Sequence, residues 1–224
     1  GNLGAAMGTE TVQQAVTLAR CAMREAGGPL QPHRLAYRDG SPQVAGSITV
    51  SPDRSLHVLV MPAELKDKPH HRLDAWVRAT FAASCGMRGD TLVVSKDAER
   101  VRVDRMPSMD PTQARAALDA LLQLCEDARR RPLPFGPKTS HAIFAANRKG
   151  SDETTAALKA WAQQPKGPPG EGDSASAQLA WRDRDPFATD TIDEWRRLAA
   201  EVFGPVEAWF AQTAATSRHG VSSG

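Results

Sequence analysis

The sequence predicts an α/β fold: a mixed sheet flanked by helices, continued by a helical C-terminal extension. Three observations carry this. Apolar patterns of helical and strand period alternate through residues 1–131. The run LHVLVM at 56–61 is almost continuously apolar, as expected of a strand covered on both faces near the middle of a sheet. Beyond the joint RPLPFGPKTS at 131–140 strand-like runs stop and helical spacing takes over.

In chain order, Thr9 or Thr11 is expected to cap a first helix after a flexible start. Its expected buried stripe is Val12, Ala15, Val16, Ala19, Cys21, Ala22 and Met23, and Gly27, Gly28 and Pro29 stop it. Leu35, Ala36 and Tyr37 read as a short strand before the turn signal Asp39-Gly40. Residues 44–50 and 56–61 form two antiparallel strands around Ser51-Pro52-Asp53-Arg54-Ser55, where proline and aspartate favour a turn. A charged connection at 62–69 leads to a helix presenting Leu73, Trp76, Val77, Thr80, Phe81 and Cys85 before Gly86. Strands at 91–95 and 100–103 flank Asp97-Ala98-Glu99. Asp110 then caps a long helix opened by Pro111, with Ala114, Ala117, Leu118, Leu121, Leu122 and Cys125 inward and Arg129, Arg130 and Arg131 complementing its C-terminal dipole.

Past the joint, 139–148 and 152–164 read as short helices, the second capped by Ser151 or Asp152 and buried through Ala157, Leu158 and Trp161. The glycine, proline and serine stretch 165–176 reads as a mobile loop, and Leu179, Trp181 and Phe187 as anchors of an irregular segment. A final helical pair runs from Ile192, breaks at Gly204-Pro205 and resumes at Val206, with a frayed tail from Thr213. No internal repeat is visible. The expected domains are 1–131, an α/β core with its long closing helix; 132–214, a helical extension; and 215–224, a disordered tail.

A net charge of +2 over 224 residues argues against a uniformly basic nucleic-acid binder and leaves local patches to be argued one by one. Three scattered cysteines, Cys21, Cys85 and Cys125, each inside an apolar helical pattern, read as reduced core residues of a cytoplasmic protein. No apolar run reaches the roughly 20 residues of a membrane span. The start GNLGAAMG has neither the basic nor the hydrophobic part of a secretion signal, and a chain opening at Gly1 reads as a piece of something larger.

RPLPFGPKTSHAIF, AWRDRDPF and EVFGPVEAW resemble the C-terminal part of the gamma chain (RecC) family of exodeoxyribonuclease V, the bacterial helicase-nuclease that processes double-strand DNA ends. The order helix, strand, hairpin, helix, strand is similar to the core of the PD-(D/E)xK nucleases. The resemblance implies a nuclease-like region that has lost catalysis, helps split the duplex and contacts the beta and alpha chains and duplex and single-stranded DNA ends, with no cofactor and no membrane. The residues argue the same loss independently. Such nucleases need an aspartate on the second core strand and an acid-x-lysine on the third, to hold Mg²⁺ and orient the attacking water. Here Gly46, Ser47, Ile48 and Thr49 stand on the one and Val58, Leu59, Val60 and Met61 on the other, while Asp53 sits in the turn at the far end.

Other motifs have plainer readings. Glu64-Leu65-Lys66 has the acid-x-lysine spacing just after the third strand, a spacing frequent in charged loops; with no second carboxylate the solvated loop is preferred, and the alternatives are a residual Mg²⁺-dependent nuclease using Glu64 and Lys66 or a purely subunit-docking domain without DNA contact. His70, His71 and Asp74 are expected to make no metal site, because neighbouring histidines point apart and no fourth ligand is suitably spaced. Lys66, Lys68, His70, His71 and Arg72 either meet DNA phosphates or form a solvated helix entry, and Arg130 and Arg131 either touch a strand or cap a helix. Trp195 and Trp209 fall on apolar helical stripes and are expected in the core or at a subunit contact, whereas Trp181 could stack bases. There is no P-loop and no nucleophile elbow.

Overall fold

The structure is a computed structural model that describes residues 2–38, 43–65, 68–97, 100–162, 169–182 and 184–216, with side chains described between 11 and 212. The chain forms two compact units, Gly1–Leu122 with Trp209–Gly224, and Gln123–Ala208.

The first unit is built on five strands: β1 (Gln31–Tyr37), β2 (Val44–Val50), β3 (His57–Met61), β4 (Thr91–Asp97) and β5 (Arg100–Met106). They lie in the order β1-β2-β3-β4-β5, with β3 and β4 parallel and every other pair antiparallel. A mixed sheet is therefore confirmed, and LHVLVM is its central strand. Pro32 sits on the edge strand β1, where a missing ladder donor is tolerated. The antiparallel β2–β3 pairing holds at Val50↔His57 only. Its turn is fixed locally: the Ser51 hydroxyl donates to Asp53 at 2.6 Å and accepts from the Leu56 amide at 3.0 Å, and Arg54 takes φ 60. That hydroxyl, with Ser55, pulls the Asp53 carboxyl down to about 2. The turn signals at Asp39-Gly40 and Ala98-Glu99 lie outside the described residues.

Helix α1 (Asn2–Glu25) packs on one sheet face through Leu18 and Ala22, with Ala26 just past its end, against Leu56, Val58, Leu92 and Val94. Helix α2 (Pro69–Ser84) covers the other, where Phe81 and Ala82 meet Ile48 and Val50. Helix α3 (Pro111–Arg130) opens as expected, the Asp110 carboxylate accepting from the amides of Thr112 and Gln113. It ties to the unit when Tyr37 donates its hydroxyl to Asp119 at 2.8 Å and Arg115 donates to the Ser84 carbonyl.

Several expectations are corrected here. Helix α1 begins at Asn2, well before the expected caps. Its inward face is the i, i+4 row Leu18, Ala22, Ala26, so Val12, Val16 and Met23 are exposed and only Ala22 of the expected stripe is fully buried. The stretch contains two apolar rows, and the sheet takes the one nearer the glycine stop. Cys125 is exposed and Cys21 and Cys85 are half-buried, so the three cysteines form no disulfide and are not core.

The second unit is helical: α4 (Pro137–Lys149), α5 (Glu153–Trp161), a 3-10 turn (Glu171–Asp173), α6 (Ala175–Trp181) and most of α7 (Thr189–Thr216). Its core is Ile143, Ala157, Trp195 and Ala199 with Phe144, Trp161, Phe187 and Ile192. Trp195 is fully buried, stacks on Phe187 at 5.7 Å and donates its indole N–H to the Pro186 carbonyl at 2.8 Å. Asp152 caps α5 by accepting from the Thr154 amide. Leu158 is exposed, so α5 buries Ala157 and half-buries Trp161 instead.

Two further expectations fail for physical reasons. Part of the stretch read as mobile is ordered, because Glu171 accepts from the amides of Lys138 and Thr139 at 2.8 Å each and caps α4, whose N-cap residue Gly136 has no side chain to do so. Trp181 then ends a helix rather than an irregular segment, and Leu179 is exposed. Helix α7 runs unbroken through Pro205. Pro205 lies on the exposed side, and Gly204 lacks the Cβ that would clash with the proline ring in helical geometry. The expected fray at Thr213 starts no earlier than Thr216, beyond which nothing is described. No helix among the described residues is long and apolar enough to cross a membrane.

Candidate nucleic-acid interface

The basic group after β3 is set by the start of α2. Lys68 is its N-cap residue and is exposed; with Pro69 in the first turn, its carbonyl accepts from the amides of His71 and Arg72 at 3.0 and 3.2 Å. The unspent amides of this turn add partial positive charge to Lys68 and its neighbours. The His70 and His71 rings lie together, with centroids 4.1 Å apart and planes tilted by 44°, so the expectation that they point apart is wrong: side chains in a first turn lean back towards the N-terminus and converge. Among the described residues no three His, Cys, Asp or Glu side chains are grouped to hold a metal ion. Asp74, the third residue considered there, pairs instead with Arg78 at 2.9 Å.

Arg72 is used internally. Its guanidinium carbon sits 4.5 Å from the centre of the Phe210 ring, and the neighbouring Trp209 is buried, so this cation–π contact fastens the end of α7 within the first unit. Glu64 is half-buried in the connection before α2, and Lys66 lies outside the described residues.

Arg130 and Arg131 belong to the second unit. Arg130 is exposed at the last turn of α3, and Arg129 before it pairs with Glu126 at 3.3 Å. Arg131 grips Glu194 with both guanidinium nitrogens, at 3.0 and 2.5 Å. The bond pushes the arginine pKa up and the glutamate pKa down. Arg131 also lines a cleft of about 460 Å³ with Pro132, Pro134, Trp181 and Arg184. The sequence placed Trp181 on an irregular segment and did not single out Arg184; the RDRD repeat beside the tryptophan was the available signal.

At the strands that would carry a metal in a nuclease of the expected kind, no carboxylate is present. On β2, Gly46 lies where an added Cβ would stand 3.3 Å from the Phe81 ring of α2. His57, at the start of β3, is almost wholly buried 3.5 Å from the Thr91 hydroxyl, and burial, with Arg78 nearby, lowers its pKa to about 4.

The described chain is thus a mixed α/β unit joined to a helical one, basic at the start of α2 and with no acid on β2 or β3. The RecC C-terminal domain family model matches residues 1–148, and this chain belongs to the RecC family. It is 31% identical over 191 residues to the RecBCD enzyme subunit RecC of Mycobacterium tuberculosis, in both the CDC 1551 / Oshkosh and the H37Rv strains. Those matches cover 84% of this chain and 17% of the relatives' length.

Proposed function

We propose that this chain is a non-catalytic, architectural and DNA-guiding part of an exodeoxyribonuclease V helicase-nuclease complex. It would act in the cytoplasm in double-strand break repair by homologous recombination, with the beta and alpha chains as protein partners and duplex and single-stranded ends as nucleic-acid partners. The observation that carries the reading is the pair of strands β2 and β3. The order α1, β1, β2, β3, α2, β4 is the one expected of a PD-(D/E)xK core, yet neither β2 nor β3 bears an acid, and a Cβ added at the exposed Gly46 would stand 3.3 Å from the Phe81 ring. Without a carboxylate pair, Mg²⁺ has no protein cage and the in-line water has no orienting charge.

The work left to such a domain is geometric. Lys68 offers charge and His71 a ring N–H to phosphate at the start of α2, Lys66 and His70 extend the same group in sequence, and Arg130 offers a second contact point. Arg72 and Arg131 hold those regions in shape through Phe210 and Glu194. Phosphate contacts position the nucleic acid and carry no sequence information. The test is retention of a forked duplex as salt is varied. Lys68→Ala and Arg130→Ala should each weaken binding uniformly across sequences and flatten the log–log salt slope by about 1. An unchanged slope in both would remove the DNA-guiding role.

A further inference from the structure

One face of α4 carries His141, Phe144, Ala145, Arg148 and Lys149, spaced i, i+3, i+4, i+7 and i+8, while Ile143 and Ala146 on its other side are buried. With Glu207 of α7 these five line an open cleft of about 320 Å³, wholly inside the second unit and at the small end of ligand pockets. Phe144 is half-buried, resting on the core on one side and lining the cleft on the other. The Arg148 guanidinium carbon lies 5.8 Å from the centre of its ring, so an aromatic and a guanidinium present flat faces together. Lys149 is exposed beside them. The dipole of α4 accounts for two cations in its last turn, and neither has a carboxylate partner among the described residues. The least exposed charge of the cleft is Glu207, at 20%. His141, packed edge-on against Phe203 at 5.1 Å, has its Nε2 3.5 Å from a Glu207 oxygen.

Flat faces to stack on, an exposed cation for a phosphate and an acceptor-only carboxylate deeper in are what a nucleotide with an exocyclic amino group requires. We propose that this cleft binds one such nucleotide, unpaired, with its ring against Phe144 and Arg148, its phosphate at Lys149 and its amino group donating to Glu207. Adenine, cytosine and guanine carry that group, whereas thymine presents carbonyl oxygens, which a carboxylate repels. A base inside a duplex is covered on both faces, so the cleft takes single strands or free nucleotides. That the nucleotide is a unit of a strand rests on the DNA-guiding reading; a free nucleotide offers the same chemistry, and the test separates the two.

The test titrates the whole chain into end-labelled single-stranded octamers of deoxycytidine and of deoxythymidine, followed by fluorescence anisotropy. The two pyrimidines are alike in size and charge and differ at the amino group. Phosphate contacts elsewhere on the chain treat both octamers alike, so the ratio of their affinities reports the cleft. The parent should bind the deoxycytidine octamer about tenfold more tightly, and Glu207→Gln, whose amide also donates, should level the two. Phe144→Leu and Lys149→Ala should each weaken binding of the deoxycytidine octamer by about fivefold or more, with thermal melts confirming that each variant folds. Equal affinity of the parent for both octamers, or a preference that Glu207→Gln leaves unchanged, would overturn the proposal. Deoxycytidine and deoxythymidine monophosphates assign the source: a preference of the same size among monophosphates supports a free nucleotide, and one confined to the octamers supports a strand. Octamers bound alike while fork retention responds to Lys68→Ala would remove this inference and leave the DNA-guiding role. A monophosphate preference without fork retention would do the reverse.

Discussion

Gly46 and His57 show how single residues decide what the first unit can do. An aspartate at 46 would press its Cβ on Phe81 at 3.3 Å, so the ring would have to give by a few tenths of an ångström. Gly46→Asp should cost about 1 kcal/mol in urea unfolding and should not restore cleavage; a stable, Mg²⁺-dependent Gly46→Asp nuclease would contradict the account. His57 stays neutral in the fold down to about pH 4, whereas an unfolded histidine takes a proton near 6.5. Because the unfolded state binds the extra proton, stability falls as pH drops from about 6.5 towards 4, by a total on the order of 3 kcal/mol, and is unaffected by this group above that window. His57→Gln should flatten that part of the pH–stability curve, and an unaltered slope would show that His57 is not its source. Neither residue's role could be read from the sequence alone: glycine in a strand and histidine at its start acquire meaning only when α2 is laid over them.

Among the elements, the strands and helices of the first unit were largely legible, because turn residues and apolar period agree there. Central β3, the Asp110 cap and the stop at Gly27-Gly28 all follow from local chemistry. What was not legible depended on partners far away in the chain. Which of the two apolar rows of α1 faces inward is settled by the sheet, and the α4 cap comes from Glu171, 33 residues from Lys138. Glu171→Ala should lower the stability of the second unit by about 1 kcal/mol and speed amide exchange at Lys138 and Thr139; unchanged exchange would argue against the cap. The continuity of α7 through Pro205 is the mirror case, a break signal overridden by Gly204 and by an exposed position. Pro205→Ala should leave α7 intact and raise the melting temperature, and a lower one would mean that the proline has a packing role. The basic residues were found by charge in the sequence, but that Arg72 and Arg131 serve Phe210 and Glu194 could not be.

For the whole molecule, the proposed function joins membership of the RecC family to strands β2 and β3 that carry no acid, and on that reading the domain places DNA and protein rather than cutting. The claim stands or falls on chemistry that is simple to observe. Purified chain is incubated with an end-labelled forked duplex in Mg²⁺ and then Mn²⁺, beside Glu64→Ala and Lys66→Ala. The account predicts no cleavage in any sample, with fork retention that declines as salt rises. Cleavage by the parent that both substitutions abolish would make this a nuclease built on Glu64 and Lys66, and would contradict it.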